Sequence, residues 1–250
     1  MNLVRKIVLL LISFVCSMGV YAQTDNYGTD FWTGFMSNYT GDLKLYISAK
    51  QNSTVTISIP LKSYTTIISI LKDSVVDITL PNTVAEISSS EVVENTGIHI
   101  VSDFPVSVSA MNLRAATTDA TVVLPLKNIP TNATYVSGHP SRQHKTYTFG
   151  GTNEFLLVSP ENGVQIAITP AGKTLKNRPA DSTFILTLDQ GETFQVQSNE
   201  NLDGSTITVL NGKKLVVYSG DKCSNFPSGA CDHQVEQLFP NQLLDTVYYT

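Results

Sequence analysis

The alternation of apolar and polar residues with a period of two constrains the fold of this chain more than any other feature. Val55 and Ile57 alternate with Thr56 and Ser58, and similar patterns return later in the chain. Alternation of this kind is typical of half-buried strands, and the abundance of Thr, Ser, Val and Ile also favours strand over helix. The sequence therefore predicts an all-β fold, in which only 232–239 is compatible with a helical turn or two. The main alternating stretches are 43–60, 97–112 and 183–198.

The second half of the chain repeats the pattern of the first half. Two blocks align without gaps in the same order, so that Leu45 falls on Leu156 and Ile57 on Ile168. A repeat of this length is a duplicated domain, because solenoid and propeller repeats are only ~20–50 residues long. The sequence predicts two tandem antiparallel β-sandwich-like units from an internal duplication. The aligned blocks are 43–58 with 154–169 and 98–110 with 207–219, and the predicted units are 23–150 and 151–250.

With a small gap, the alignment extends to the end of the chain. Residues 231–250 fall on 118–137, so that Asp232 meets Asp119. We expect the aspartate that both copies share to have a structural role, such as capping a turn. In the first copy, the chain continues from this point into the second unit. Two expectations therefore stay open for the end of the second copy. Either the chain is the front part of a longer polypeptide, or its last strand closes the sheet.

The first residues predict export. Arg5 and Lys6 precede the apolar run 7–15, and Val20 and Ala22 occupy the −3 and −1 positions of a small-residue cleavage site. This arrangement is that of a secretory signal peptide, 1–22, cut after Ala22. The apolar run is too short for a membrane span, which needs ~20 residues. We expect the mature protein to be secreted, or displayed at the cell surface after periplasmic transit.

The charge balance of the mature chain argues against polyanionic partners. Cleavage removes two basic residues and no acidic ones, which leaves 14 basic against 21 acidic residues and a net charge of −7. An acidic protein is repelled by nucleic acid and by anionic membrane surfaces. We therefore expect neither as the main partner.

Two cysteines remain after cleavage, Cys223 and Cys231, because Cys16 leaves with the signal peptide. In an exported chain this pair predicts a disulfide, which would stabilise the fold by about 2–3 kcal/mol. The alternative is a zinc site, in which both thiolates and His233 would be joined by a fourth ligand. We favour the disulfide and predict no metal and no other cofactor.

The other histidines do not fall in a catalytic motif. His99 belongs to an alternating strand, where we expect it on the wet face, while His139 and His144 belong to a polar loop between the units. The sequence has no H-E-x-x-H or G-x-S-x-G motif and no phosphate-binding glycine loop. A hydrolase that uses loop residues near His139, His144 or His233 is therefore the last of three hypotheses, behind a binding module and a structural spacer.

An aromatic run, 27–39, is the candidate binding patch. It contains Phe31 and the only tryptophan, Trp32. If these side chains were exposed, they would form an interaction surface. The alternative, which we favour, is that the run is a first strand whose aromatic side chains fill the core.

Three motifs carry a resemblance to a known family. They are "GTDFW", "DFPVSVSAMN…TDATVVLP" and "KLVVYSGDKC…CDHQVEQLFP". They resemble the IgGFc-binding protein N-terminal domain family over most of the mature chain, and the last motif is the most specific. The resemblance implies a non-catalytic binding or adhesion module for a protein or glycan, and "VYAQ" at the cleavage site is similar to signal peptides of bacterial, Bacteroidetes-like secreted members.

Overall fold

The computed structural model describes residues 25–39, 41–114, 117–138, 151–225 and 231–244. The predicted signal peptide, 1–22, lies outside these residues, and so do His139 and His144. Within the described ranges, no helix is long and apolar enough to cross a membrane.

The described residues form sixteen strands, whose ladders are all antiparallel, with one four-residue helix and three 3₁₀ turns. The prediction of an all-β fold is confirmed. The strands are β1 Gly28–Thr33, β2 Asp42–Ala49, β3 Ser53–Ile59, β4 Tyr64–Ile70, β5 Ser74–Leu80, β6 Val93–Glu94, β7 Ile98–Leu113, β8 Asp119–Val123, β9 Thr134–Val136, β10 Asn153–Val158, β11 Val164–Thr169, β12 Phe184–Leu188, β13 Thr193–Ser198, β14 Thr206–Val209, β15 Val216–Asn225 and β16 Cys231–Gln237. The helix, α1, is Asn82–Ala85, and the 3₁₀ turns are Pro60–Lys62, Leu126–Asn128 and Asn241–Leu243.

The first unit is a sandwich of two sheets that share the long strand β7. The first half of β7 pairs with β1 and β3, and β3 pairs with β4. The second half pairs with β2 and β8, and β2 pairs with β5. The strand changes sheet at the exposed segment 103–105, where Pro105 has no N–H to donate to a ladder. Apolar side chains from the inner faces of both sheets meet in one core, which includes Leu45, Ile47, Ile57, Ile100 and Val108.

The second unit repeats this pairing with separate strands. One sheet has the order β12-β11-β14-β9, and the other has the order β16-β15-β10-β13 with β6 added outside β13. Together β14 and β15 take the place of β7, so the four-stranded sheets of the two units correspond strand by strand. This correspondence supports the internal duplication. Because β6 and β9 precede residue 150 in the chain, the predicted division at 150/151 stays a prediction.

For the strands β2 and β10, the residues that are equivalent in the structure differ by one position from those paired in the sequence alignment. Leu45 points into the first core, but Leu156 points away from the second core and Phe155 takes the equivalent place. The superposition of Leu45 on Leu156 is therefore wrong for this strand. Its physical reason is that β10 is buried on both faces, so alternation along the strand does not show which side chains face the core.

The second face of β10 is buried because the first unit covers it. Trp32 packs there with residues of both units, in what we call the shared cluster. Two hydrogen bonds cross the same contact, from Tyr218 Oη to Thr33 Oγ1 (2.8 Å) and from the Ser37 N–H to Gln195 Oε1 (2.9 Å). The shared cluster consists of Trp32, Met36, Ile87, Ile129, Leu156, Val158, Val216 and Tyr218.

Phe31 and Trp32 do not form an exposed patch. Their relative exposures are 0% and 2%, since Phe31 lies in the first core and Trp32 in the shared cluster. The binding-patch interpretation is wrong for these two residues. Burying large aromatic side chains stabilises the folded state more than leaving them exposed to water. This burial is what the favoured alternative, a first strand whose aromatic side chains fill the core, predicts.

The segment 232–239 is not helical. Most of it belongs to β16, which pairs with β15. The suggestion of a helical turn is therefore wrong. Pairing with a neighbouring strand overrides the weak local preference of a polar segment.

Candidate functional site

The cysteine prediction is confirmed. Cys223 and Cys231 form a disulfide that joins β15 to β16, with 5.2 Å between their Cα atoms. Because both thiols are used, the zinc alternative is wrong. Among the described residues, no group of three or more His, Cys, Asp or Glu side chains is placed to hold a metal ion.

His233 is a buried residue of β16 rather than a surface ligand. It is 2% exposed, and its Nδ1 has no hydrogen-bond partner among the described residues. Burial lowers the pKa of His233 to about 4, against the opposing effect of hydrogen bonds to the backbone at Asp221 and Lys222. The imidazole is therefore neutral at pH 7 and lies inside the protein, which does not suit a surface-accessible catalytic base.

Asp119 and Asp232 hold the edge strands of the two units together. Asp232 Oδ1 accepts a hydrogen bond from the Thr118 N–H, and Asp119 Oδ2 accepts one from the Val235 N–H, both at 2.8 Å. We call this pair the aspartate brace. The expected structural role of Asp232 thus takes the form of a contact between β8 and β16, which also pack side by side.

The described residues form an open polar groove on the first unit, with a volume of about 400 Å³. It is built mainly by the connection 81–97 between β5 and β7, which is 17 residues long, whereas the equivalent connection in the second unit, 199–205, has only 7. The longer connection carries short elements of its own, α1 and β6, which the second unit lacks at this place. The groove is lined by Ser37, Asn38, Lys62, Asn82, Thr83, Glu86, Ile87, Ser88, Glu94 and Thr96.

Two carboxylates in the groove are held in fixed positions. Glu94 Oε1 accepts hydrogen bonds from the Ser88 and Ser89 N–H groups at 3.1 and 2.7 Å. Glu86 Oε1 accepts one from the Asn38 N–H at 3.2 Å. Burial raises the pKa of Glu86 above its ordinary value. These oxygens, with the hydroxyl and amide groups beside them, form a surface that can exchange several hydrogen bonds with a polar ligand.

The floor of the groove is tied to the second unit. Thr96 Oγ1 and Thr193 Oγ1 are 2.7 Å apart, and the Ser37 N–H donates to Gln195 Oε1. Because Thr193 and Gln195 belong to β13, these contacts anchor the groove to a sheet of the second unit. Preorganisation of this kind lowers the entropy cost of binding a ligand.

The described lining of the groove combines several kinds of polar group. It contains hydroxyl groups and carboxylates but no histidine. His99 lies elsewhere, half-buried on an outer sheet face, where its Nε2 is 2.9 Å from Asp30 Oδ1 and its ring stacks on Trp32 at 4.4 Å. Among the residues that the structure describes, no histidine lines the groove.

A second polar feature lies beside the groove, against the outer face of β10. Glu154 is 0% exposed, and its Oε2 accepts a hydrogen bond from Gln197 Nε2 at 2.6 Å. Burial raises the pKa of Glu154 well above its ordinary value, against the smaller effects of Gln197 and the Lys222 charge.

Sequence reasoning missed the groove entirely. Its residues are spread over 37–96 and follow no motif, and Glu86 and Glu94 come together only through the fold of the 81–97 connection. The one available signal was the unequal length of this connection in the two copies.

Comparison with known proteins places the chain within one family. The family model described as IgGFc binding protein matches residues 119–250. The human IgGFc-binding protein is 26% identical over 229 residues, which cover 88% of this chain but only 4% of that protein. The chain thus spans a small part of the curated relative's length. No solved structure matches.

Proposed function

The chain belongs to the IgGFc-binding protein family, and we propose that it is a non-catalytic binding or adhesion module, secreted or displayed at the cell surface, whose ligand occupies the polar groove. The ligand is a protein or a glycan that presents several hydroxyl or amide groups. The Cys223–Cys231 disulfide supports an oxidising compartment. Immunoglobulin is named only for the relative and is one protein to include in a screen.

The observation that carries this proposal is the polar groove itself. Its volume of about 400 Å³ lies within the usual range of ligand sites, which is about 300–1,000 Å³. Its lining is more polar than that of most drug-like pockets, which favours a hydrogen-bonding ligand over an apolar cofactor.

The test is a glycan and protein binding screen on the purified mature chain, repeated with Thr83→Arg. Thr83 is an exposed residue of the groove, so a long side chain there is expected to block the ligand without disturbing the core. Thr65→Arg is the matched control, since Thr65 is exposed on β4 and does not line the groove. We expect Thr83→Arg to abolish binding and Thr65→Arg to retain it. Silence of the wild-type chain across the screen would contradict the proposal and favour a structural spacer.

A further inference from the structure

Two cations face a single aromatic ring next to the polar groove. The guanidinium carbon of Arg114 lies 4.7 Å from the centroid of the Tyr39 ring, and Lys222 Nζ lies 5.0 Å from it. Arg114 directly follows β7 of the first unit, whereas Lys222 belongs to β15 of the second unit. All three residues are half-buried. We call them the cationic cluster.

The cationic cluster lies near two acidic groups without pairing directly with either of them. Lys222 acts electrostatically on both Glu86 and Glu154, but neither cation forms an ion pair with a carboxylate of the described residues. Glu154 is fully buried with a raised pKa, so its carboxyl group does not offer a full counter-charge. Two fixed positive charges thus come together in a chain whose net charge is −5.

The cationic cluster continues the polar groove. Asn38 lines the groove and Tyr39 follows it in the chain, while the Asn38 N–H donates to Glu86 Oε1 at 3.2 Å. The charge of Lys222 also acts on Glu86. The lining of the groove thus combines hydroxyl and amide groups with Lys62 and the carboxyl groups of Glu86 and Glu94, and the two cations lie near its Asn38 and Glu86 part.

We propose that the cationic cluster is a subsite for the anionic group of an acidic glycan whose remaining sugars occupy the polar groove. This inference rests on the proposed function of that groove. The Arg114 guanidinium offers paired N–H donors that match the oxygens of a carboxylate or a sulfate ester. Lys222 adds a second positive charge, and both cations are held near each other by their contacts with the Tyr39 ring.

The experiment compares lactose, sialyllactose and sulfated lactose as probes of the mature wild-type chain by calorimetry at two salt concentrations. We expect the two acidic probes to bind more tightly than lactose, by roughly 10- to 100-fold, since hydrogen bonds to charged groups carry that difference. The preference is expected to weaken as salt is added. A preference for only one acidic probe would identify the anion as a carboxylate or as a sulfate.

Three variants locate the effect. Arg114→Gln and Lys222→Gln are each expected to bring the affinity for the acidic probes down to that for lactose, with lactose binding unchanged. Lys72→Gln, at an exposed turn between β4 and β5, is expected to change nothing. Equal binding of lactose and the acidic probes by the wild-type chain would overturn the subsite but leave the groove as a glycan site. Failure of all three probes to bind would overturn this inference, whereas the protein arm of the screen would still decide the proposed function.

Discussion

Glu154 and His233 are both buried, and burial shifts their pKa values in opposite directions. Burial favours the neutral form of each group, which is the protonated form for Glu154 and the deprotonated form for His233. The pKa of Glu154 is therefore raised and that of His233 is lowered. Neither shift could be predicted from the sequence, because the burial of both side chains depends on contacts with strands that are distant along the chain.

Replacing Glu154 by Gln should make the protein less sensitive to alkaline pH. A carboxyl group whose pKa is raised in the folded state contributes stability below its unfolded pKa and loses it as the pH rises through the folded value. The substituted amide has no such proton to lose, so the free energy of unfolding of Glu154→Gln should gain on that of the wild type between pH 5 and pH 9. Urea unfolding at several pH values measures the difference. Asp73→Asn, at an exposed turn, is the control, and parallel pH profiles for wild type and Glu154→Gln would contradict the assignment.

Replacing His233 by Gln should change the acid side of the same profile. Since the folded pKa of His233 is lowered to about 4, the unfolded state binds the proton first as the pH falls below about 6.5. The wild type should lose roughly 3 kcal/mol between pH 7 and pH 4 through this residue, whereas His233→Gln should not. The measurement is the free energy of unfolding of both proteins at pH 7, 5.5 and 4. An equal acid loss in both would show that His233 is not buried as a neutral group.

At the scale of elements, the structure depends on how β8 and β16 meet. Both are edge strands of their sheets, and unpaired edges invite association with other chains. Here the two edges cover each other through side-chain to backbone hydrogen bonds, including those of the aspartate brace and one from the Gln237 N–H to Thr121 Oγ1 at 3.0 Å. The contact gives both units a protected edge without a continuous ladder.

Asp119→Ala and Asp232→Ala should each destabilise the protein, by about 1–2 kcal/mol, because each leaves a strand N–H without its acceptor. The double variant should lose less than the sum of the two, since the first substitution already loosens the contact that the second would weaken. A double-mutant cycle of urea unfolding measures this coupling. Asp77→Ala, at an exposed surface pair with Lys44, should show no comparable loss. Strict additivity would mean that the two aspartates act independently.

The alternation in the sequence predicts which side chains of a strand face the core only where the opposite face of that strand is exposed to solvent. β3 and the second half of β7 alternate cleanly, and their inward residues, such as Ile57 and Val108, follow the pattern. β10 and β13 are buried on both faces, so the pattern there does not indicate which side chains face the core. The disulfide followed from compartment and spacing. The groove could not be predicted, because the 81–97 connection that forms it has no periodic pattern in its sequence.

At the scale of the whole molecule, the two units are built to stay together. The shared cluster places the tryptophan of the first unit against β10 and β15 of the second. Close backbone approach adds to this contact. A Cβ atom on Gly97 would lie 2.7 Å from the Gly191 carbonyl oxygen, so only glycine fits there. Separation of the units would expose the apolar outer face of β10 and unpair β6 from β13.

We therefore expect the mature chain to unfold in one transition rather than in two, although its sequence predicts two tandem units. Trp32 is the only tryptophan, so its fluorescence reports on the shared cluster, whereas far-ultraviolet circular dichroism reports on the strands of both units. The two signals should change together with urea, as in a two-state transition. Trp32→Phe keeps part of the cluster and should lower the midpoint while one transition remains. Trp32→Ala leaves a cavity and should cost about 3–5 kcal/mol. If the units were independent, fluorescence and circular dichroism would give separate midpoints, and Trp32→Ala would shift only part of the circular dichroism change.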